Sequence, residues 1–178
     1  MTIWHDIDDE RIKPNDFIAV IEIAKGSKKK YELDKETGLI ILDRILHTST
    51  QYPANYGFLP RTLSLDGDPL DVLVLSSESL DPLTLVECFP VGMVTMIDNG
   101  QRDEKIIAIP FNDPMYNEYI DINTLPKHVS QELLHFLKVY KDLEDKITEV
   151  KDMESVEVAK QTIIEAKNRY KEKYGKGK

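Results

Sequence analysis

The sequence predicts an α+β domain with a mainly β core, or a small barrel, with helices packed outside it. Residues 15–110 read as short β-rich runs divided by turn residues, and from about residue 123 the apolar spacing becomes helical. There is no alternation of β and α units, which argues against a parallel doubly wound sheet.

Taken in order, Phe17–Ile23 alternates partially and is rich in β-branched residues, as a strand requires. Lys30–Asp34 follows, Lys35–Gly38 forms a tight turn, and Leu39–Arg44 runs back. Tyr52–Pro60 reads as an aromatic, turn-rich loop. Asp71–Leu75 and Val86–Ile97 are further strands. Lys105–Ile109 pairs with the latter across a six-residue connection, Asp98–Asp103, which contains the hairpin dipeptide Asn99-Gly100. Ser130–Asp145 is an amphipathic helix with Leu133, Phe136, Leu137, Tyr140 and Leu143 at helical spacing. Ser155–Tyr174 is a second helix, with Val158, Ala159, Ile163, Ala166 and Tyr170 on one side and a solvated Lys/Glu face opposite. Gly175–Lys178 reads as a frayed tail. No repeat, linker or composition break divides the chain, so residues 1–178 are expected to form one domain.

Apolar residues make up 41% and charged residues 31%, the balance of a soluble globular protein. A net charge of -9 disfavours nucleic-acid binding, for want of the Lys/Arg excess that releases phosphate counterions. It leaves room for an anionic substrate if bound cations reverse the local field. The single cysteine, Cys88, lies in an apolar run and reads as a small buried hydrophobe. Met1–Glu10 is acidic and lacks the order of a signal peptide, and no run reaches the roughly 18 apolar residues of a membrane helix. No membrane association and a cytoplasmic location are expected.

Asp66-Gly67-Asp68-Pro69-Leu70-Asp71 places three carboxylates within six residues, immediately before a strand. Acids this close raise one another's pKa unless a cation holds them, and hard divalent cations favour oxygen ligands. A calcium loop of the EF-hand type would need Gly and Glu where Asp71 and Ser77 stand. Read alone, the hexapeptide serves equally well as an acidic surface turn. Asp98 and Asp103, flanking the Asn99-Gly100 turn, supply a second acidic pair able to converge on the same cavity. Lys30 and Glu32 share a strand face, Arg44 closes the next strand, and Tyr56, Tyr140 and Lys141 add donors suited to a phosphate. Gly26-Ser27-Lys28 lacks the spacing of a P-loop.

The stretch Asp66–Val72 resembles the signature of the family I soluble inorganic pyrophosphatases. The likeness extends from Val20-Ile21-Glu22-Ile23 through Lys30-Tyr31-Glu32, Asp43-Arg44 and Tyr52-Pro53-Ala54-Asn55-Tyr56-Gly57. It continues in Pro90-Val91-Gly92, Asp98, Asp103, Lys105, His135-Phe136 and Tyr140-Lys141-Asp142-Leu143-Glu144. The second pyrophosphatase family, marked by paired histidines, is not matched, since His5, His47, His128 and His135 are scattered. Met153 stands where many bacterial members carry tryptophan, a departure that bears on local packing.

The resemblance implies an OB-like five-stranded closed barrel with helices outside, a bacterial-type homohexamer, and hydrolysis of pyrophosphate with several Mg2+ ions per site. It assigns Asp68 as general base and Asp66, Asp71, Asp98, Asp103 and Glu32 as metal ligands. Lys30, Arg44, Tyr56, Tyr140 and Lys141 would bind the substrate, with Glu22, Tyr52 and Lys105 supporting them. Two rival classes, a non-catalytic OB-type nucleic-acid module and a calcium-binding protein, are disfavoured by the net charge and by the missing calcium-ligand positions.

Overall fold

The computed structural model describes residues 2–175; of the expected tail, 176–178 lie outside the described residues. In chain order the strands are β1 (Ile12–Lys13), β2 (Asp16–Ile23), β3 (Lys29–Leu33), β4 (Ile40–Ile45), β5 (Asn55–Leu59), β6 (Leu70–Val74), β7 (Leu85–Asp98), β8 (Gln101–Pro110) and β9 (Thr148–Glu154). The helices are α1 (Ile3–Asp6), α2 (Lys127–Val139) and α3 (Val156–Tyr174). β2, β5, β6, β8 and β7 pair in that order, and β7 returns to β2, so five strands close a ring as the OB-like expectation requires. β1 and β9 extend it, while β3 and β4 form a separate two-stranded sheet.

Side-chain alternation along the ring fills two cores. Leu73, Ile107, Val94 and Met96 pack toward Leu133, Phe136 and Leu137 of α2. Their neighbours Val72, Val74, Ile106 and Ala108 pack toward Ala159, Ile163 and Ala166 of α3. Strands buried on both faces read as nearly continuous apolar runs, which is why β2 and β8 alternate so weakly. Cys88 is fully buried in the second core, as expected.

Several sequence expectations are corrected. The segment read as a loop at Tyr52–Pro60 contains β5, paired with β2 on one side and β6 on the other. Gly57 permits that pairing, because a Cβ there would stand 1.8 Å from the Val20 carbonyl oxygen. The connection between β7 and β8 is only Asn99-Gly100, both at positive φ (48° and 80°), the turn that matches strand twist. Asp103 therefore lies inside β8, opposite Met96. α2 ends at Val139, which leaves Leu143 exposed, and Val158 is also exposed on α3. β9, unrecognised in the sequence, separates the two helices and carries Met153 opposite Val94. Among the described residues no helix is long and apolar enough to cross a membrane.

Candidate active site

A cavity of about 610 Å3 opens between the β3–β4 hairpin, the loop entering β6, the β7–β8 turn and the end of α2. The loop is shaped by its own backbone. Gly67 sits at φ +88°, the Asp68 amide donates to an Asp66 carboxylate oxygen at 2.9 Å, and the Ser64 amide donates to the Asp68 carbonyl at 2.7 Å. Thr62 fixes the exit from this loop, since its hydroxyl accepts from the Leu70 amide at 2.9 Å. Among the described residues no helix flanks the loop, which removes the EF-hand arrangement.

Five aspartates face this cavity: Asp66, Asp68, Asp71, Asp98 and Asp103. Asp71 and Lys105 are register partners on the parallel strands β6 and β8, and Asp103 lies two residues before Lys105 on the same face. The Lys105 ammonium, 2% exposed, donates to the Tyr56 hydroxyl at 2.7 Å, to Asp71 at 3.0 Å and to Asp103 at 3.1 Å. Burial opposes its charge, but Asp103 and Asp71 outweigh burial and hold its pKa well above the ordinary lysine value.

The acids show the opposite stress. Burial, and then the charge of Asp103, push Asp71 up to about 6 despite the attraction of Lys105. Asp66 is raised by desolvation against the cavity walls and by its neighbours Asp68 and Asp103, although the Asp68 amide opposes this. Glu22, 6% exposed, accepts the Leu33 amide at 2.6 Å and so ties β2 to the hairpin; burial and Asp71 push it up to about 8. Asp98 Oδ2 meets Lys141, while its Oδ1 is buried without a partner. Burial lowers the Lys141 pKa more than Asp98 raises it.

Lys30, Glu32, Tyr56, Tyr140 and Lys141 also line the cavity, with Lys30 3.7 Å from Glu32. The Tyr140 ring stacks on Phe136 at 4.8 Å, and burial pushes its hydroxyl up to about 12. Two sequence-assigned residues are not on the wall. Tyr52 is buried behind it, against Tyr56 and Phe136, and Arg44 is held by Asp43 and Glu144. His135 is exposed on α2.

Lys35, read in the sequence as a turn residue, lines the cavity and pairs with Asp68, while its ammonium lies 5.5 Å over the Trp4 ring. Only the folded hairpin brings it there. Glu144, which partners Arg44, falls inside the motif around Tyr140 and Lys141, so a sequence signal existed.

Among the described residues no three acidic, histidine or cysteine side chains form a closed metal cage, because Lys105 stands between Asp71 and Asp103. The wall is nevertheless rich in hard oxygen donors. The raised Asp66 and Asp71 and the unpartnered Asp98 Oδ1 are the signs of acids that an added cation would relieve. A hard divalent cation suits such a wall, since it favours oxygen ligands.

Residues 19–171 match the family described as inorganic pyrophosphatase. The chain is 47% identical over 171 residues to soluble inorganic pyrophosphatase 2 of Chlamydomonas reinhardtii, covering 96% of this chain and 89% of that protein. It is 48% identical over 160 residues to an inorganic pyrophosphatase of Halalkalibacterium halodurans, covering 90% and 98%. The solved inorganic pyrophosphatase of Helicobacter pylori superposes with a TM-score of 0.87 at 42% identity, over 90% of this chain and 96% of that one.

Proposed function

The chain belongs to the inorganic pyrophosphatase family, and from that premise we propose that it hydrolyses pyrophosphate to two orthophosphates in a Mg2+-dependent reaction. The observation that carries this reading is one cavity lined by five aspartates together with Lys30, Lys141 and the Tyr56 and Tyr140 side chains, so that acids able to hold cations and donors able to hold a phosphate share its wall.

Asp66, Asp71 and Asp103 would hold one metal, with Asp71 reaching a second, Asp98 and Asp103 a third, and Glu32 a further one. When bound, Mg2+ neutralises phosphate oxygens and lowers the pKa of water at the site. Asp68, free of the Lys105 network, accepts the proton of the attacking water while the bridging P–O bond breaks. Tyr56 accepts from Lys105 and hydrogen-bonds the Asp71 carboxylate, and so holds that wall in place beside the phosphate. Lys30, Lys141 and Tyr140 offset charge on the two phosphoryl groups, and Arg44, behind the wall, supports Lys30 across the hairpin. Lys105 donates to both Asp71 and Asp103 and holds them together, Glu22 fixes the hairpin, and Tyr52 backs Tyr56. We read residues 1–178 as one cytoplasmic domain that assembles as a homohexamer.

Chelation by EDTA is expected to abolish phosphate release, and excess Mg2+ to restore it; a chelator-resistant rate would overturn the metal assignment.

A further inference from the structure

The β3–β4 hairpin is a separate two-stranded sheet that leaves Ile41, Leu42 and Ile45 exposed, with Ile41 at the cavity. A two-stranded ribbon is only marginally stable by itself, so its position depends on what tethers it. One tether is Glu22, which reaches Leu33 at one end of β3. Neither strand packs extensively on α2, although the cavity needs both walls.

At the other end, Arg44 lies opposite Lys30 in the hairpin ladder. Its Nε approaches Glu144 Oε1 to 2.7 Å, and the two side chains are 17% and 4% exposed. Asp43 takes the Nη1 side of the same guanidinium. The Glu144 amide donates to the Lys141 carbonyl at 2.9 Å, so Glu144 is built into the turn that carries Tyr140 and Lys141. The approach of Nε to Oε1 is an ion pair off the hydrogen-bonding direction, and Nη2 of Arg44 and Oε2 of Glu144 are buried without partners. Arg44 is the cation beside this nearly inaccessible carboxylate, and removing either partner leaves the other buried without it.

We propose that Glu144 is a positioning residue. Its carboxylate fixes the Arg44 guanidinium, and with it the hairpin, at the separation from α2 that lets Lys30 on one wall and Tyr140 and Lys141 on the other grip one phosphate-bearing anion. The role rests on the pyrophosphatase reading for its substrate, but the ion pair and its effect on phosphate affinity do not.

The test is a double-mutant cycle of Glu144→Gln and Arg44→Lys on the full chain with Mg2+. It is read by the Kd for inorganic phosphate from calorimetry and by KM and kcat for pyrophosphate. Glu144→Gln is expected to raise both Kd and KM about tenfold with kcat nearly unchanged, the pattern of lost binding shared by ground and transition states. In the Arg44→Lys background the same change should add less than about twofold, because its target is already displaced. Glu144→Asp, which keeps the charge and shortens the reach, should fall between, and carries the test if Glu144→Gln does not fold. Unchanged Kd and KM alongside a lowered Tm, or fully additive effects, would overturn the proposal. Wild-type protein that binds phosphate but releases none from pyrophosphate would refute the hydrolase reading alone.

Discussion

Asp71 and Lys105 face each other as register partners on parallel strands, and the Lys105 ammonium reaches the Asp71 carboxylate at 3.0 Å. This contact explains how an acidic wall survives inside the protein. One buried cation lies between two of its aspartates and is itself satisfied by a third partner, the Tyr56 hydroxyl.

Lys105→Met should therefore destabilise the metal-free protein by about 3 kcal/mol, the scale for removing one partner of a buried ion pair. Urea unfolding in EDTA measures the loss. Added Mg2+ should recover part of it, since the two carboxylates then regain a cation. Stability equal to wild type in EDTA would mean that Lys105 does not hold the wall together.

Glu22 gives a pH signature. Its folded-state pKa, about 8, lies above the ordinary 4.5, so between those values the native state binds more protons than the unfolded chain. Its contribution is complete below pH 4.5 and is lost as pH rises through about 8. Thermal melts in EDTA should show wild type losing stability across that window relative to Glu22→Gln, which keeps an acceptor for the Leu33 amide. Parallel curves for the two proteins would contradict the assignment.

Gly57→Ala should cost about 3 kcal/mol, the upper range of overpacking, because the new Cβ meets backbone rather than a yielding side chain. Far-UV melting is sufficient to measure it. A variant as stable as wild type would show that β2 and β5 pair differently from the register seen here.

Asp68→Asn should lower kcat by about two to four orders of magnitude, as expected on removing a general base. Phosphate affinity should change little, since Asp68 lies outside the Lys105 network. Lys35→Met, by contrast, removes a half-exposed ion pair and should shift stability by less than about 1 kcal/mol. Full turnover in Asp68→Asn would move the base elsewhere.

Most of the ring could be read from residues 15–110, because strands β2, β6, β7 and β8 carry their own apolar runs. β5 could not, since Pro53, Asn55 and Gly57 are turn residues by local propensity, and the need for Gly57 comes from Val20, far away in the chain. β9 is mostly charged, and it pairs only because β7 is long enough to leave it an edge. The acidic loop and the β7–β8 turn were visible as motifs, yet their meeting depends on the β6–β8 register, which no local pattern encodes. The same limit hid Lys35, whose neighbour Asp68 lies across the cavity mouth.

Phosphate release from pyrophosphate by the wild-type chain with Mg2+ tests the central claim most directly. Two phosphates are expected per pyrophosphate consumed, with the rate lost in Asp68→Asn. Absence of release from wild-type protein that is folded and binds phosphate would contradict it.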